Sequence, residues 1–393
     1  MKITVLGAGA IGAAVARDLA RTPEVTTVQV VDARARPLQE LQDTLPGLKL
    51  RSFQADARDA FVLRSILAGS DVVVGSVPFE INPALAELCV SLGIHYLDLG
   101  GSDAVVERQL ALDAEAKARG VWVVPNCGLG PGLVNVLCLH AIEAFDEVDA
   151  AQIRLGDIPQ DPTPPFNFCA SWSPDKIIED YTNPVEVIED GQIAFHEPLT
   201  HLETLHFDEP YADLEAFCAQ GGLATLARSV AHKVHNLDHK LIRWPGHAAQ
   251  MQFVLALGLG DRQTIDVKTH LTYRDVLLRR MRQRLGREQK DVLLLRVLVR
   301  GVRAGQKRTR VYEMVEFYDE ATATTAMKRC TAIPTSTLAV MLASGAIPGG
   351  GAAPPEHVVP KEAYIDAVKA RGLRLVEHEC DGYRDVTDAA LCT

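Results

Sequence analysis

The chain has 393 residues, more than one hydrophobic core usually serves, so two domains are expected. Hydrophobic residues make up 47% and charged residues 23%, and no apolar run reaches the roughly 18 residues a bilayer span needs, so no membrane segment is expected. Acidic residues outnumber basic ones by 51 to 40, and the resulting net charge of −11 repels phosphate backbones and anionic lipid, which makes nucleic acid a poor partner.

The opening MKITVLGAGAIG runs from one lysine straight into an apolar stretch that ends in glycines, so it reads as a first strand and not as a signal peptide. Eight cysteines are scattered without a Cys-x-x-Cys pair. That spacing predicts free thiols in a reducing, cytoplasmic setting, and no zinc ribbon or disulfide framework.

From Lys2 to Val124 short β-branched runs alternate with amphipathic stretches. The strands are ITVL, TVQVV, LKLRSF, DVVVGS, HYLDL and VWVVP; the helices fall at Ile11 to Arg21, Pro37 to Leu45, Ala60 to Leu67, Asn82 to Leu92 and Ala104 to Arg119. Each crossover must return the chain to the same sheet edge, so the pattern predicts a doubly wound parallel sheet of α/β class over residues 1–130.

After Pro125 a Gly/Pro-rich joint leads into a helix at Val134 to Ala144 and a second, α+β domain over residues 131–332. Late in that domain DVLLLRVLVRG, RTRVYEMVEFY and ATTAMKRCTA read as an antiparallel meander, with GVRAGQK as a turn. Helices at Pro334 to Ser344 and Lys361 to Arg371 belong to a C-terminal stretch, residues 333–393, expected to return to the first domain. Ligands of such folds sit in clefts beside the sheet, here expected between the two domains.

Gly7, Gly9 and Gly12 form G-x-G-x-x-G directly after the first strand, with Ala10 and Ile11 opening the helix. The first glycine allows the tight turn, the second lets a pyrophosphate approach the backbone, and the third lets helix and strand pack closely. Asp32 ends the second strand 20 residues after Gly12, where a carboxylate can hold both ribose hydroxyls and repel a 2′-phosphate. The expected cofactor is therefore NAD; Arg34 and Arg36 follow closely and leave NADP open. Asp56 lies near the adenine or is a solvated turn residue, and Ser76, Val77 and Pro78 line the nicotinamide half.

The runs HYLDLGG (His95 to Gly101), PNCGLGPGLVN (Pro125 to Asn135), FNFCASWSP (Phe166 to Pro174), QGGLATL (Gln220 to Leu226) and IRWPGH (Ile242 to His247) occur in this order along almost the whole chain. Together they resemble the saccharopine dehydrogenase family, and within it the branch that oxidises the ε-amine of lysine with NAD. The resemblance implies hydride transfer at a carbon bearing nitrogen, an amino-acid substrate held by the second domain, and a homo-oligomer such as a dimer. One departure stands at Gly156, Asp157, Ile158 and Pro159, where relatives often carry Gly-Gly-(Leu/Ile)-Pro; the extra carboxylate either alters substrate choice or faces water.

Oxidising an amine carbon needs a neutral nitrogen, so a group must accept the ammonium proton. Asp98, ending the fifth strand, is the first candidate, and its alternative is a turn cap; Cys127 neighbours it or is a small buried hydrophobe. An α-carboxylate calls for a forked cation, for which Arg243 is the candidate, or else an internal ion pair. His247 is placed to bind the same group, and Ser171, Trp172 and Ser173 to wall the aliphatic chain, with Trp172 equally a core residue; Gly221 and Gly222 let backbone approach substrate or mark an ordinary turn, and Thr225 is a further substrate candidate. His232, His235 and His239 fall at helical spacing but without a further ligand, so they read as a polar helix face with no metal. The basic run at Leu278 to Lys290 reads as a solvated helix face or an oligomer contact.

Overall fold

The computed structural model describes residues 1–45, 49–170, 174–286, 289–388 and 391. They form two compact units, one of residues 1–137 with 328–373, the other of residues 138–327 with 374–393.

In the first unit six parallel strands alternate with helices: β1 (Lys2–Leu6), β2 (Thr27–Asp32), β3 (Leu50–Gln54), β4 (Val72–Gly75), β5 (His95–Asp98) and β6 (Trp122–Val124). The chain runs from β1 out through β2 to β3, then returns to the other side of β1 for β4, β5 and β6. Right-handed crossovers therefore put helices on both faces, and the strand direction of travel reverses between β1 and β4. Covered on both sides, β4 is VVVG with every residue buried. One core cluster joins Leu6, Val31, Val73, Tyr96 and Val123 of the sheet to Leu63 and Leu67 of helix Ala60–Leu67 and Leu85, Cys89 and Val90 of helix Asn82–Leu92. The stretch expected as one helix at Ala104 to Arg119 is two, Asp103–Leu110 and Asp113–Arg119.

The second unit is built on β7 (Glu147–Pro159), β8 (Val185–Glu189), β9 (Gln192–His196), β10 (Glu203–Leu205), β11 (Leu214–Cys218), β12 (Val234–Arg243), β13 (Asp291–Arg303) and β14 (Gln306–Phe317). Its sheet is antiparallel except where β12 runs parallel to β7. The hairpin β13–β14 closes on Ala304 and Gly305, both at positive φ, the geometry whose twist matches the strands it joins. Two histidines expected on a helix face, His235 and His239, lie instead on β12; pairing with β7 and β11 decides the conformation over the local spacing. The basic run does form a helix, Tyr273–Leu285, whose Leu278, Met281 and Leu285 enter a core with Phe168, Ile177 and Tyr181. Arg282 on its outer side pairs with Asp175 at 2.5 Å.

Beyond β14 the expected third meander strand, ATTAMKRCTA, is helical: it opens helix Ala326–Ala343. Asp291 explains the change, because its carboxylate accepts from the Ala326 and Met327 amides at 2.7 and 2.9 Å and caps the helix N-terminus. Asp291→Ala is expected to lower stability by about 1–2 kcal/mol, read as a lowered thermal midpoint, with Asp291→Asn costing less because it keeps one acceptor oxygen. The two-residue β15 (Gly351–Ala352) then joins the first sheet beside β6, and helix Lys361–Ala370 belongs to the same unit. Arg371 ties to the Asp18 carboxylate of helix Ala10–Arg21, which Ser336 also reaches. The final β16 (Leu375–Asp381) departs from the expected return to the first domain and pairs with β14. Cys89, Cys127, Cys138, Cys169, Cys218 and Cys330 are free and buried, whereas Cys380 on β16 is disulfide-bonded, which corrects the expectation of free thiols throughout. Among the described residues no helix is long and apolar enough to cross a membrane, and no cluster of three or more His, Cys, Asp or Glu could hold a metal ion.

Candidate active site

At the carboxyl end of β1 the glycine turn is packed against the end of β4. Gly7 sits at φ +98°, and a Cβ there would meet the Ser76 carbonyl oxygen at 2.1 Å; one on Gly12 would meet the Gly7 carbonyl at 2.0 Å. Gly9 differs, since a Cβ on it would meet nothing within 4 Å. Two glycines are thus required by the fold, and the third faces open space at the start of helix Ala10–Arg21, where an anion is favoured by the helix N-terminus. Ala10 and Ile11 form its first turn. Ser76 and Val77 line the turn, with the Ser76 amide donating to the Leu6 carbonyl at 2.7 Å, and Pro78 leads into a short 3₁₀ turn at Phe79–Ile81.

Asp32 accepts from the Ala8 amide at 2.9 Å through Oδ2 and from the Arg34 amide at 2.8 Å through Oδ1. Burial opposes its charge, but these amides and the Arg34 side chain outweigh it and hold the carboxyl below its ordinary range. The chain therefore presents an ionised carboxylate one strand from the glycine turn. Asp56 is occupied differently: its carboxylate takes the amide and guanidinium of Arg58, which lower it to about 2, so its contacts are those of a turn residue.

Asp98 ends β5 fully buried. Its Oδ2 accepts from Gln109 Nε2 at 2.5 Å and its Oδ1 from the amides of Gly100 at 2.8 Å and Asn126 at 3.4 Å. Burial pushes it up to about 6 against those bonds. Through these bonds Asp98 ties the loop after β5 to the loop after β6, the contacts expected of a turn cap. Cys127 is close, its amide donating to the Asp98 carbonyl at 2.7 Å, but its thiol is buried, points to the Val124 carbonyl at 3.0 Å, and is pushed far above its ordinary range by burial and by Asp98. These surroundings are those of the small buried residue that is the alternative to a chemical role.

In the second unit Arg243, at the end of β12, has no solvent exposure. Its Nη1 lies 3.9 Å from Asp157 Oδ1, its Nε donates to the Tyr181 hydroxyl at 3.3 Å, and its guanidinium stands 4.8 Å from the centroid of Phe168. The hydroxyl of Tyr181 is 3.1 Å from His247 Nε2, and His247 Nδ1 is 3.0 Å from the Phe166 carbonyl. A carbonyl only accepts, so Nδ1 carries the proton and Nε2 accepts from Tyr181. Burial and the Arg243 charge depress His247 to about 3, which keeps it neutral. Arg243 and His247 are thus brought together, through a tyrosine that sequence reasoning did not single out. No local pattern marks Tyr181; only the rule that a buried phenol finds a partner could have flagged it.

Asp157, the departure from the family turn, faces neither water nor empty space: it is buried against Arg243. Gly222 is required for another reason than substrate approach, since a Cβ there would meet the His239 ring at 2.2 Å. His239 is itself buried and depressed to about 4, first by burial and then by the Arg154 charge. Gly221, at φ +108°, has Asp180 Oδ1 at 3.3 Å from its Cβ position. Thr225 precedes helix Leu226–Val230 and accepts through its carbonyl from the Ser229 hydroxyl. Ser171, Trp172 and Ser173 lie outside the described residues.

Residues 128–373 match a family model described as the saccharopine dehydrogenase C-terminal domain, and residues 3–124 one described as the saccharopine dehydrogenase NADP binding domain. The chain is 24% identical over 200 residues to the saccharopine dehydrogenase [NADP(+), L-glutamate-forming] of Saccharomyces cerevisiae, covering 49% of this chain and 43% of that protein. It is 20% identical over 277 residues to the mitochondrial alpha-aminoadipic semialdehyde synthase of Mus musculus, covering 67% of this chain and 29% of that protein. It thus spans less than half the length of these curated relatives. Among solved structures, apo saccharopine dehydrogenase (L-Glu forming) from Saccharomyces cerevisiae superposes with a TM-score of 0.78 at 17% identity, over 96% of this chain and 99% of that one. Homospermidine synthase from Legionella pneumophila in complex with NAD gives 0.68 at 15% identity, over 97% and 91%. These two show a shared fold, and the family models, which between them take in both halves of the chain, show that it belongs to the saccharopine dehydrogenase family.

Proposed function

We propose that this chain is an NAD-dependent oxidoreductase acting on a carbon–nitrogen bond of an amino acid, and specifically that it oxidises the ε-amine of L-lysine. The product would be 2-aminoadipate 6-semialdehyde, which cyclises with its own α-amine to piperideine-6-carboxylate. The observation that carries the reading is the cradle at β1: two glycines locked by backbone, a third open at a helix N-terminus, and an ionised Asp32 one strand away. Gly9, Ala10 and Ile11 would hold the pyrophosphate and Asp32 the adenosine ribose, while Ser76 and Val77 would border the nicotinamide side. When bound, the cofactor supplies the hydride acceptor.

Charge favours lysine over saccharopine. Arg243 is the guanidinium beside Tyr181 and His247 and is already balanced by Asp157, so this cluster suits a substrate with one carboxylate and two amines better than one with three carboxylates. The names of the curated relatives favour the second reading, a saccharopine dehydrogenase or NADPH-dependent imine reductase. A protein that senses NAD(H) without turnover is the non-enzymatic alternative. Following NADH absorbance with NAD and L-lysine is expected to show turnover; turnover with saccharopine alone would reverse the order, and none with either would favour the sensor.

Cofactor preference follows from the Asp32 carboxylate. The wild type is expected to bind NADH more tightly than NADPH, and Asp32→Ala to shift that ratio at least tenfold toward NADPH, because the repulsion of a 2′-phosphate is removed and Arg34 is released. Fluorescence titration of both reduced cofactors measures it; an unchanged ratio would remove Asp32 from the ribose site.

A further inference from the structure

Within the second unit a cavity of about 390 Å³ opens away from the residues assigned above. It is lined by Glu179, Thr182 and Asn183 at the end of helix Pro174–Asp180 and just beyond it, by Leu255, by the loop Gly260, Asp261 and Arg262, and by Arg274. The segment between is shared: Asp180 and Tyr181 face the Arg243 side, while their neighbours Glu179 and Thr182 face the cavity.

The charges of the wall come in both signs. Arg274 is nine-tenths buried, yet only its Nη2 is committed, to the Asp175 carbonyl at 3.1 Å and to Glu179 at 3.5 Å; its Nε and Nη1 donate to no described residue. Arg262, mostly exposed at the rim, reaches the same Glu179 carboxylate at only 3.9 Å, so two guanidiniums share one acid. Asp261 adds a second carboxylate that no described cation pairs. These spare donors are not among the side-chain atoms buried without a partner, so they are open to an oxygen that enters the cavity. A simple anion there would also face both carboxylates, whereas a zwitterion meets each sign with its opposite.

We propose that this cavity binds a free α-amino acid, its carboxylate on Arg274 and Arg262, its ammonium on Asp261 and Glu179, and an aliphatic side chain along Leu255 and Gly260. The volume is at the small end for ligand sites, which suits a single amino acid.

L-Norleucine is the probe, because it has the zwitterion and aliphatic chain but no ε-nitrogen to oxidise. Calorimetric titration of the full chain is expected to give millimolar binding, at least tenfold weaker for hexanoate and for pentylamine, which each keep one charge. Arg262→Ala and Asp261→Asn, both on an exposed loop, should each weaken norleucine at least tenfold and leave NADH affinity unchanged. Arg274→Gln should do the same, and the two loop variants carry the test if it fails to fold. Norleucine binding that is absent, or equal in wild type and variants, overturns the proposal; hexanoate binding as tightly as norleucine reduces the cavity to an anion site and overturns it equally. The NADH titration stands apart, so a failure of the dinucleotide reading would be seen separately.

Discussion

A Gly9→Val chain is expected to melt within about 2 °C of the parent and to bind NADH at least 100-fold more weakly, about 3 kcal/mol. Backbone φ and ψ at Gly9 are −67° and −174°, an extended conformation that valine adopts freely, and a Cβ there meets no atom of the protein within 4 Å. The added methyls would fill only the space left for a pyrophosphate. Gly12→Ala provides the contrast. Its Cβ would stand 2.0 Å from the Gly7 carbonyl oxygen, and backbone cannot yield as a flexible side chain can, so this variant should lose several degrees of thermal midpoint along with its binding. Thermal melts and NADH fluorescence on the two variants separate the roles. Undiminished NADH affinity in Gly9→Val would mean that the turn does not face a dinucleotide.

Arg243→Met is expected to destabilise the second unit by about 3–5 kcal/mol, because it leaves the Asp157 carboxylate buried without its cation. For a unit of this size that is a drop on the order of 10 °C in its thermal transition. Tyr181 would also lose a donor, although its own donation to His247 survives. Adding Asp157→Asn to Arg243→Met should recover about 1–3 kcal/mol, since the remaining partner no longer carries charge. Arg243→Lys should rescue little, because one ammonium cannot reach Asp157 and Tyr181 together while lying against the Phe168 ring. Amino-acid turnover should be lost in all three variants. A double variant no more stable than Arg243→Met would show that the pair is not coupled.

The first unit was legible residue by residue because its signals are local. Alternating β-branched and amphipathic runs marked six parallel strands, and the helices Ala60–Leu67 and Asn82–Leu92 fall where the periodicity put them. The glycine turn was equally plain, since Gly7 and Gly12 are demanded by contacts within a few residues or one strand away, and Gly9 completes a short fixed spacing.

What sequence periodicity could not carry was any feature whose cause lies far along the chain. ATTAMKRCTA has the composition of a strand, but Asp291, thirty-five residues earlier, caps it into a helix, and the strand place beside β14 is taken by Leu375–Asp381. His235 and His239 have helical spacing, and pairing with β7 and β11 made them strand residues. Asp98 stood at the expected edge, but its partners Gln109, Gly100 and Asn126 could not be read from the strand pattern. Sequence alone therefore determined the dinucleotide fold and the residues of its turn, because short-range sterics and hydrophobic period dictate them. Tertiary structure decided which charged groups are spent on holding the protein together, because a buried carboxylate or guanidinium takes its role from partners that folding brings to it.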